Sequence, residues 1–210
     1  MRSGAIDGPA NPVVRSVPVT HHPSDPGALP TTLGQLRAAG WTSRTVKEEL
    51  RTNLLDRLAT GRGILPGIIG FGESVVPAIE NAIVAGQDIV FLGERGQAKT
   101  RMARLLVGLL DEEVPALDGC ETNDDPFAPI SATGRALLGE KGDAAPVTWI
   151  PRDRRYGEKL ATPDITIADL IGEVDPIKVA EGRYLSDELT IHYGLLPRTN
   201  RGIFCINELP

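Results

Sequence analysis

The apolar positions of this chain fall into periodic runs, and each run predicts an element. Val46, Leu50, Leu54 and Leu58 lie at four-residue intervals, which places them on one face of a helix. Thr45-Val46-Lys47-Glu48 opens that run with the spacing of a capping box, and Gly61 closes it. The helix reads as a packing element or an interface. A second helix is predicted over 73–85, with Val76, Ile79 and Ile83 on one side, Pro77 in the first turn and Gly86 as its stop. Asp88-Ile89-Val90-Phe91-Leu92 shows no alternation, the pattern of a strand buried on both faces. A glycine-containing loop follows, then a helix from Lys99 to Leu110 whose buried stripe is Met102, Leu105, Leu106 and Leu109. Gly202-Ile203-Phe204-Cys205-Ile206 reads as another fully buried strand, with Asn207-Glu208 at its C-terminal end.

The rest is less regular. Residues 111–200 are rich in Pro and Gly, and their candidate strands are short: Val114–Leu117, Val147–Ile150 and Ile165–Ile167. A structureless loop of that length would be unusual in a compact domain, so hairpins or small helices are expected there. Residues 1–30 carry Pro9, Pro12, Pro18, Pro23, Pro26 and Pro30 among Gly, Ser and Asp, a composition that predicts a disordered tail. The expected organisation is a Pro-rich tail over 1–30, a helical segment over 31–64 and an α/β domain over 65–210. No internal repeat is present.

Composition narrows the class. Apolar residues make up 41% and charged residues 24%, as in an ordinary soluble globular protein, while 4% aromatic content leaves the core to Leu, Ile, Val and Ala. The formal charge of −6 and the lack of a long basic block argue against nucleic acid or an anionic membrane as the main partner. Cys120 follows a glycine in a polar turn and Cys205 sits in an apolar run, which suits a reducing cytosol better than a disulfide framework. With no apolar leader and no run of 18 apolar residues, a cytoplasmic protein is expected. His21 and His22 have no third ligand nearby and read as tail residues. Asp124-Asp125 before Pro126 reads as a solvated turn, and Arg152, Arg154 and Arg155 as an exposed charged loop.

The chemistry concentrates in Gly93-Glu94-Arg95-Gly96-Gln97-Ala98-Lys99-Thr100. A P-loop, or Walker A loop, asks for Gly, four residues, Gly, Lys and then Ser or Thr. Every part of that frame is here except the second Gly, which is Ala98. Gly93 and Gly96 would let backbone N–H groups turn inward on a polyphosphate, and the following helix would add the positive end of its dipole. Lys99 would bridge the β- and γ-phosphates, and the Thr100 hydroxyl would ligate Mg²⁺, with Arg101 next in the same helix turn. If position 98 requires a positive φ, Ala there costs about 1 kcal/mol relative to Gly. The strand ending in Asn207-Glu208 supplies the second part. P-loop ATPases place an acidic pair at such a point, one acid for the Mg²⁺ shell and one to polarise water. Glu208 fits the second role, whereas Asn207 offers an oxygen to the metal without a charge.

From Leu65 to Pro210 the chain resembles the N-terminal half of the magnesium chelatase ATPase subunit and its MoxR-like relatives in the AAA+ superfamily. The resemblance rests on Ile68-Ile69-Gly70 ahead of a helix, and on Asp118-Gly119-Cys120 with Asn123-Asp124-Asp125-Pro126 after the phosphate loop. It continues through Asp169-Leu170-Ile171-Gly172-Glu173-Val174-Asp175 and Glu181-Gly182-Arg183, then Gly194-Leu195-Leu196 and Thr199-Asn200-Arg201-Gly202-Ile203. It implies a three-layer P-loop core with a parallel sheet, ATP and Mg²⁺ as cofactors, and Ile69 and Gly70 beside the adenine. It also implies a homo-oligomeric ring acting on a protein client, with Lys99 and Glu208 as catalytic residues. A sensor strand, a fifth strand, an arginine finger and a helical lid would follow the acidic strand in that family. Because the sequence stops two residues after Glu208, a fragment truncated behind the acidic strand is expected, with a slot in its sheet where the sensor strand belongs. Two other readings stay open: a nucleotide-binding switch or scaffold with little turnover, motivated by Ala98 and Asn207, and the ATPase subunit of a porphyrin metal chelatase.

Overall fold

The computed structural model describes residues 29–180 and 188–208. Among the described residues the chain is mixed α/β, with a small parallel sheet and no closed barrel. Its order is α1 (Leu33–Ala38), α2 (Val46–Ala59), α3 (Val75–Val84), α4 (Lys99–Leu105), β1 (Glu113–Leu117), α5 (Ala132–Lys141), β2 (Val147–Pro151) and β3 (Tyr156–Leu160). Then come α6 (Ile167–Leu170), β4 (Gly172–Val174), α7 (Pro176–Ala180), β5 (Ile191–Tyr193), α8 (Leu195–Arg198) and β6 (Ile203–Asn207). The strands pair two by two: β1 with β2 antiparallel, β3 with β6 parallel, and β4 with β5 antiparallel.

Helix α2 begins where its side chains dictate. Thr45 accepts from the Glu48 backbone N–H while Glu48 reaches back to the Thr45 N–H, so two donors at the helix start are satisfied reciprocally. Leu54 is fully buried and Leu50 half-buried, but Leu58 is 42% exposed, so the apolar face ends a turn before the helix does. In α3, Ile79 and Ile83 are buried as expected, and α4 continues through a 3₁₀ turn at Leu106–Leu109 that buries Leu106 and Leu109 beside Met102. These side chains form one core with Leu54, Ile64 and Leu65, against which Ile89, Phe91 and Ile203 rest.

The 31–64 and 65–210 segments thus share a core. A charged tie reinforces it: Arg155 is 1% exposed and donates to both carboxylate oxygens of Glu49 at 2.7 and 2.6 Å, while Glu49 also accepts from the Asp111 N–H at 2.6 Å. The exposed arginine loop expected at 152–155 is therefore corrected at Arg155, whose guanidinium has a carboxylate from α2 to neutralise it. The sharp turn into β6 explains Gly202, since a Cβ there would collide with the Arg155 carbonyl oxygen.

Four further expectations change. Asp124 is not a solvated turn residue; it is fully buried, and its carboxylate accepts from the Thr122 hydroxyl at 2.9 Å and from the N–H and hydroxyl of Ser131. Ile165–Ile167 is not a strand, because Thr166 and Asp169 form a second capping box and start α6. Segment 88–92 forms no β-ladder: Ile89 and Phe91 turn toward the core, while Val90 and Leu92 are 76% and 88% exposed. With no strand on either side of it, an unalternating apolar run buries only one of its faces. Among the described residues strand β6 likewise pairs with β3 alone and stays half-buried, with Ile206 39% exposed. His21, His22, most of the 1–30 tail and Glu181-Gly182-Arg183 lie outside the described residues. Among the described residues, no helix is long and apolar enough to cross a membrane.

Candidate functional site

A cleft of about 1330 Å³ opens between segment 87–93, the 93–101 loop and the C-terminal half of β6. Its lining includes Gly93, Arg95, Gly96, Gln97, Ala98, Lys99, Thr100 and Arg101 of the loop, Asn207 and Glu208, and Glu158 of β3. The residues read from the sequence as a phosphate loop and those at the end of β6 thus line one cleft. Glu94 contributes its backbone carbonyl to the loop. Ile69 and Gly70 do not line this cleft; Ile69 is 90% exposed on the loop before α3.

The loop has the backbone its sequence demands. Gly93 and Gly96 take φ values of 149° and 85°, conformations open to glycine, and a Cβ on Gly93 would collide with Oε1 of Gln97. Ala98 takes φ 55° and ψ 18°, the left-handed region, directly ahead of Lys99. The conditional penalty read from the sequence applies: the position does require positive φ, and Ala occupies it against the preference of an L residue. Inside the loop, Lys99 Nζ donates to the Gly93 and Glu94 carbonyls, both at 2.6 Å. The ammonium group closes the cup, and an anion drawn into it would exchange these neutral acceptors for charged ones.

Across the cleft, β6 ends in strain. Glu208 sits at φ 55° with its side chain exposed, so the strand bends sharply where its acid meets the cleft. Asn207 is half-buried, and its Nδ2 donates to Glu158 Oε1 at 2.6 Å. Glu158 in turn accepts from Arg104 twice, Nε to Oε2 at 2.7 Å and Nη2 to Oε1 at 2.8 Å. The Arg104 hydrogen bond, opposed by partial burial, holds the Glu158 carboxyl below the usual carboxylate range. Sequence reasoning missed Glu158 and Arg104. Their signal was faint: Arg104 lies four residues after Thr100 on one helix face, but nothing local ties Arg104 to β3 or Glu158 to β6.

No family model, curated protein or solved structure matches this chain. What it shares with known architectures is coarse, a mixed α/β chain with a small parallel sheet. The reading of its cleft therefore stands on its own residues.

Proposed function

We propose that the cleft binds the polyphosphate of ATP with Mg²⁺, and that the protein is a P-loop ATPase with an AAA+-like core. The observation that carries this is the Lys99 ammonium held by the Gly93 and Glu94 carbonyls in a cleft that Asn207 and Glu208 also line. In this reading the loop's N–H groups and Lys99 hold the phosphates, and Glu208 orients the attacking water. Bound Mg²⁺ would supply charge neutralisation at the bridging and terminal phosphate oxygens. The donor set fits that ion: the Thr100 hydroxyl and Asn207 amide oxygen line one cleft, and Mg²⁺ prefers oxygen ligands, with phosphates and waters completing its shell. Among the described residues no three His, Cys, Asp or Glu side chains cluster as a protein-only metal site, which a nucleotide-borne ion does not need.

The resemblance to chelatase and MoxR-like ATPases extends the reading to a cytoplasmic ring that remodels a protein client, with porphyrin metallation as its specialised form. A nucleotide-sensing switch is the second reading, favoured by the strained Ala98 and by the uncharged Asn207. Phosphate release and ATP binding measured on Lys99→Ala and Glu208→Gln separate the two. The ATPase reading requires Lys99→Ala to lose binding and Glu208→Gln to bind normally with release reduced at least tenfold. Unchanged release from Glu208→Gln, with binding abolished by Lys99→Ala, favours the switch instead.

A further inference from the structure

The Glu158 carboxylate touches the Asn207 side chain, and the contact has a direction. In parallel register Glu158 faces Cys205, and Asn207 lies two residues further along β6, so both side chains project from one face of the sheet. An ionised carboxylate only accepts hydrogen bonds, so the Asn207 amide must turn its NH₂ toward Glu158 Oε1, 2.6 Å away. The amide oxygen is left on the other side, where its recorded partner is the Cys205 thiol at 3.5 Å. The Glu158 carboxylate is itself fixed by two hydrogen bonds from Arg104, which stands one turn after Thr100 on α4. A chain of contacts therefore runs from the helix of the phosphate loop, through Arg104 and Glu158, to the end of the acidic strand.

We propose that Glu158 is a positioning residue for the metal: it carries the negative charge that Asn207 lacks and, by accepting from the amide, aims and polarises the Asn207 oxygen toward Mg²⁺ or its water shell. This rests on the nucleotide-site reading above. A carboxylate that accepts from a ligand's own N–H raises the basicity of the ligating atom, as carboxylates behind metal-bound histidines do. The same geometry accounts for Asn at position 207. An aspartate there would set two carboxylates in contact, at the distance now spanned by the 2.6 Å hydrogen bond, with Arg104 alone to neutralise both.

The test titrates Mg²⁺ against a fluorescent ATP analogue for the wild type, Glu158→Gln, Asn207→Asp and the double variant, with nucleotide affinity in EDTA and thermal melts measured alongside. Removing an outer-shell partner lowers metal affinity about 10- to 100-fold. Glu158→Gln is therefore expected to raise the half-saturating Mg²⁺ by about tenfold or more while leaving the EDTA affinity and the melt unchanged. Asn207→Asp alone is expected to bring no gain, and Glu158→Gln with Asn207→Asp to restore the wild-type Mg²⁺ requirement. An unchanged Mg²⁺ requirement in Glu158→Gln, or tighter Mg²⁺ binding in Asn207→Asp alone, overturns the proposal and leaves the nucleotide site standing. Should Glu158→Gln melt early, the Asn207→Asp result decides by itself. A wild type that binds no analogue in either buffer overturns the nucleotide reading and this proposal with it.

Discussion

Arg155 and Glu49 meet through two hydrogen bonds, Nη1 to Oε1 at 2.7 Å and Nη2 to Oε2 at 2.6 Å, with side chains only 1% and 4% exposed. The pair joins α2 to the segment that enters β3. Removing one member leaves the other as an uncompensated buried charge, which destabilises by about 3–5 kcal/mol. Glu49→Ala and Arg155→Ala should each lower stability by that amount in urea unfolding. Glu49→Leu combined with Arg155→Met should lose less than the two single losses added together, because the double variant buries no lone charge.

The left-handed backbone at Ala98 gives a second prediction. Glycine adopts that conformation without the Cβ penalty, so Ala98→Gly should stabilise the fold by about 1 kcal/mol. Ala98→Val should destabilise it, since a β-branched side chain tolerates positive φ poorly. Urea midpoints for the three proteins, compared at fixed slope, check the order Gly above Ala above Val.

At the start of α2, Thr45→Ala removes the hydroxyl that accepts from the Glu48 N–H. Loss of such a cap lowers stability by about 1 kcal/mol. Thr45→Ser retains the hydroxyl and should recover most of the loss. A thermal melt of the three proteins reads this directly.

Burial, with Asp124 nearby, pushes the Cys120 thiol up to about 11. The folded chain therefore keeps a proton that an unfolded chain releases in the ordinary thiol range, about 8.5. By linkage, stability contributed at this group falls as pH rises above that range and levels off once the folded thiol ionises. Cys120→Ala should flatten the decline of the urea midpoint between pH 8 and pH 10, values chosen about the ordinary thiol range. Alkylation of Cys120 should be slow at neutral pH and accelerate as the solution is made alkaline.

How far the sequence could be read follows from where each cause lies. Helices α2, α3 and α4 were legible because their caps, stops and stripes are local, as Thr45, Gly86 and the Met102–Leu106–Leu109 stripe show. At Ala98 the sequence set only a condition, a cost if the position takes positive φ, and the backbone there meets it. Arg155 was read as a surface residue because its neutralising partner is 106 residues away, and Asp124 because a polar turn does not show that its carboxylate is enclosed. Their partners are Glu49 on α2 and the Ser131 cap of α5. Val90 and Leu92 were read as buried from hydrophobicity alone, but burial on both faces requires neighbouring strands, and the ladder is absent. Helix α1 falls inside the helical segment expected over 31–64, but its bounds were not legible because its Thr32 cap opens too short a run to show a period. Glu158 escaped because its role depends on register with β6, a relation no local pattern encodes.

The central claim is that the 93–100 loop holds a polyphosphate chain, and comparing ATP with AMP in magnesium buffer by calorimetry tests it most directly. If the loop and Lys99 grip the outer phosphates, ATP binds at least about 100-fold more tightly than AMP, in line with the 1.5–3 kcal/mol of each charged hydrogen bond, and Lys99→Ala erases the difference. Equal affinity for the two nucleotides, or no heat with either, contradicts the account.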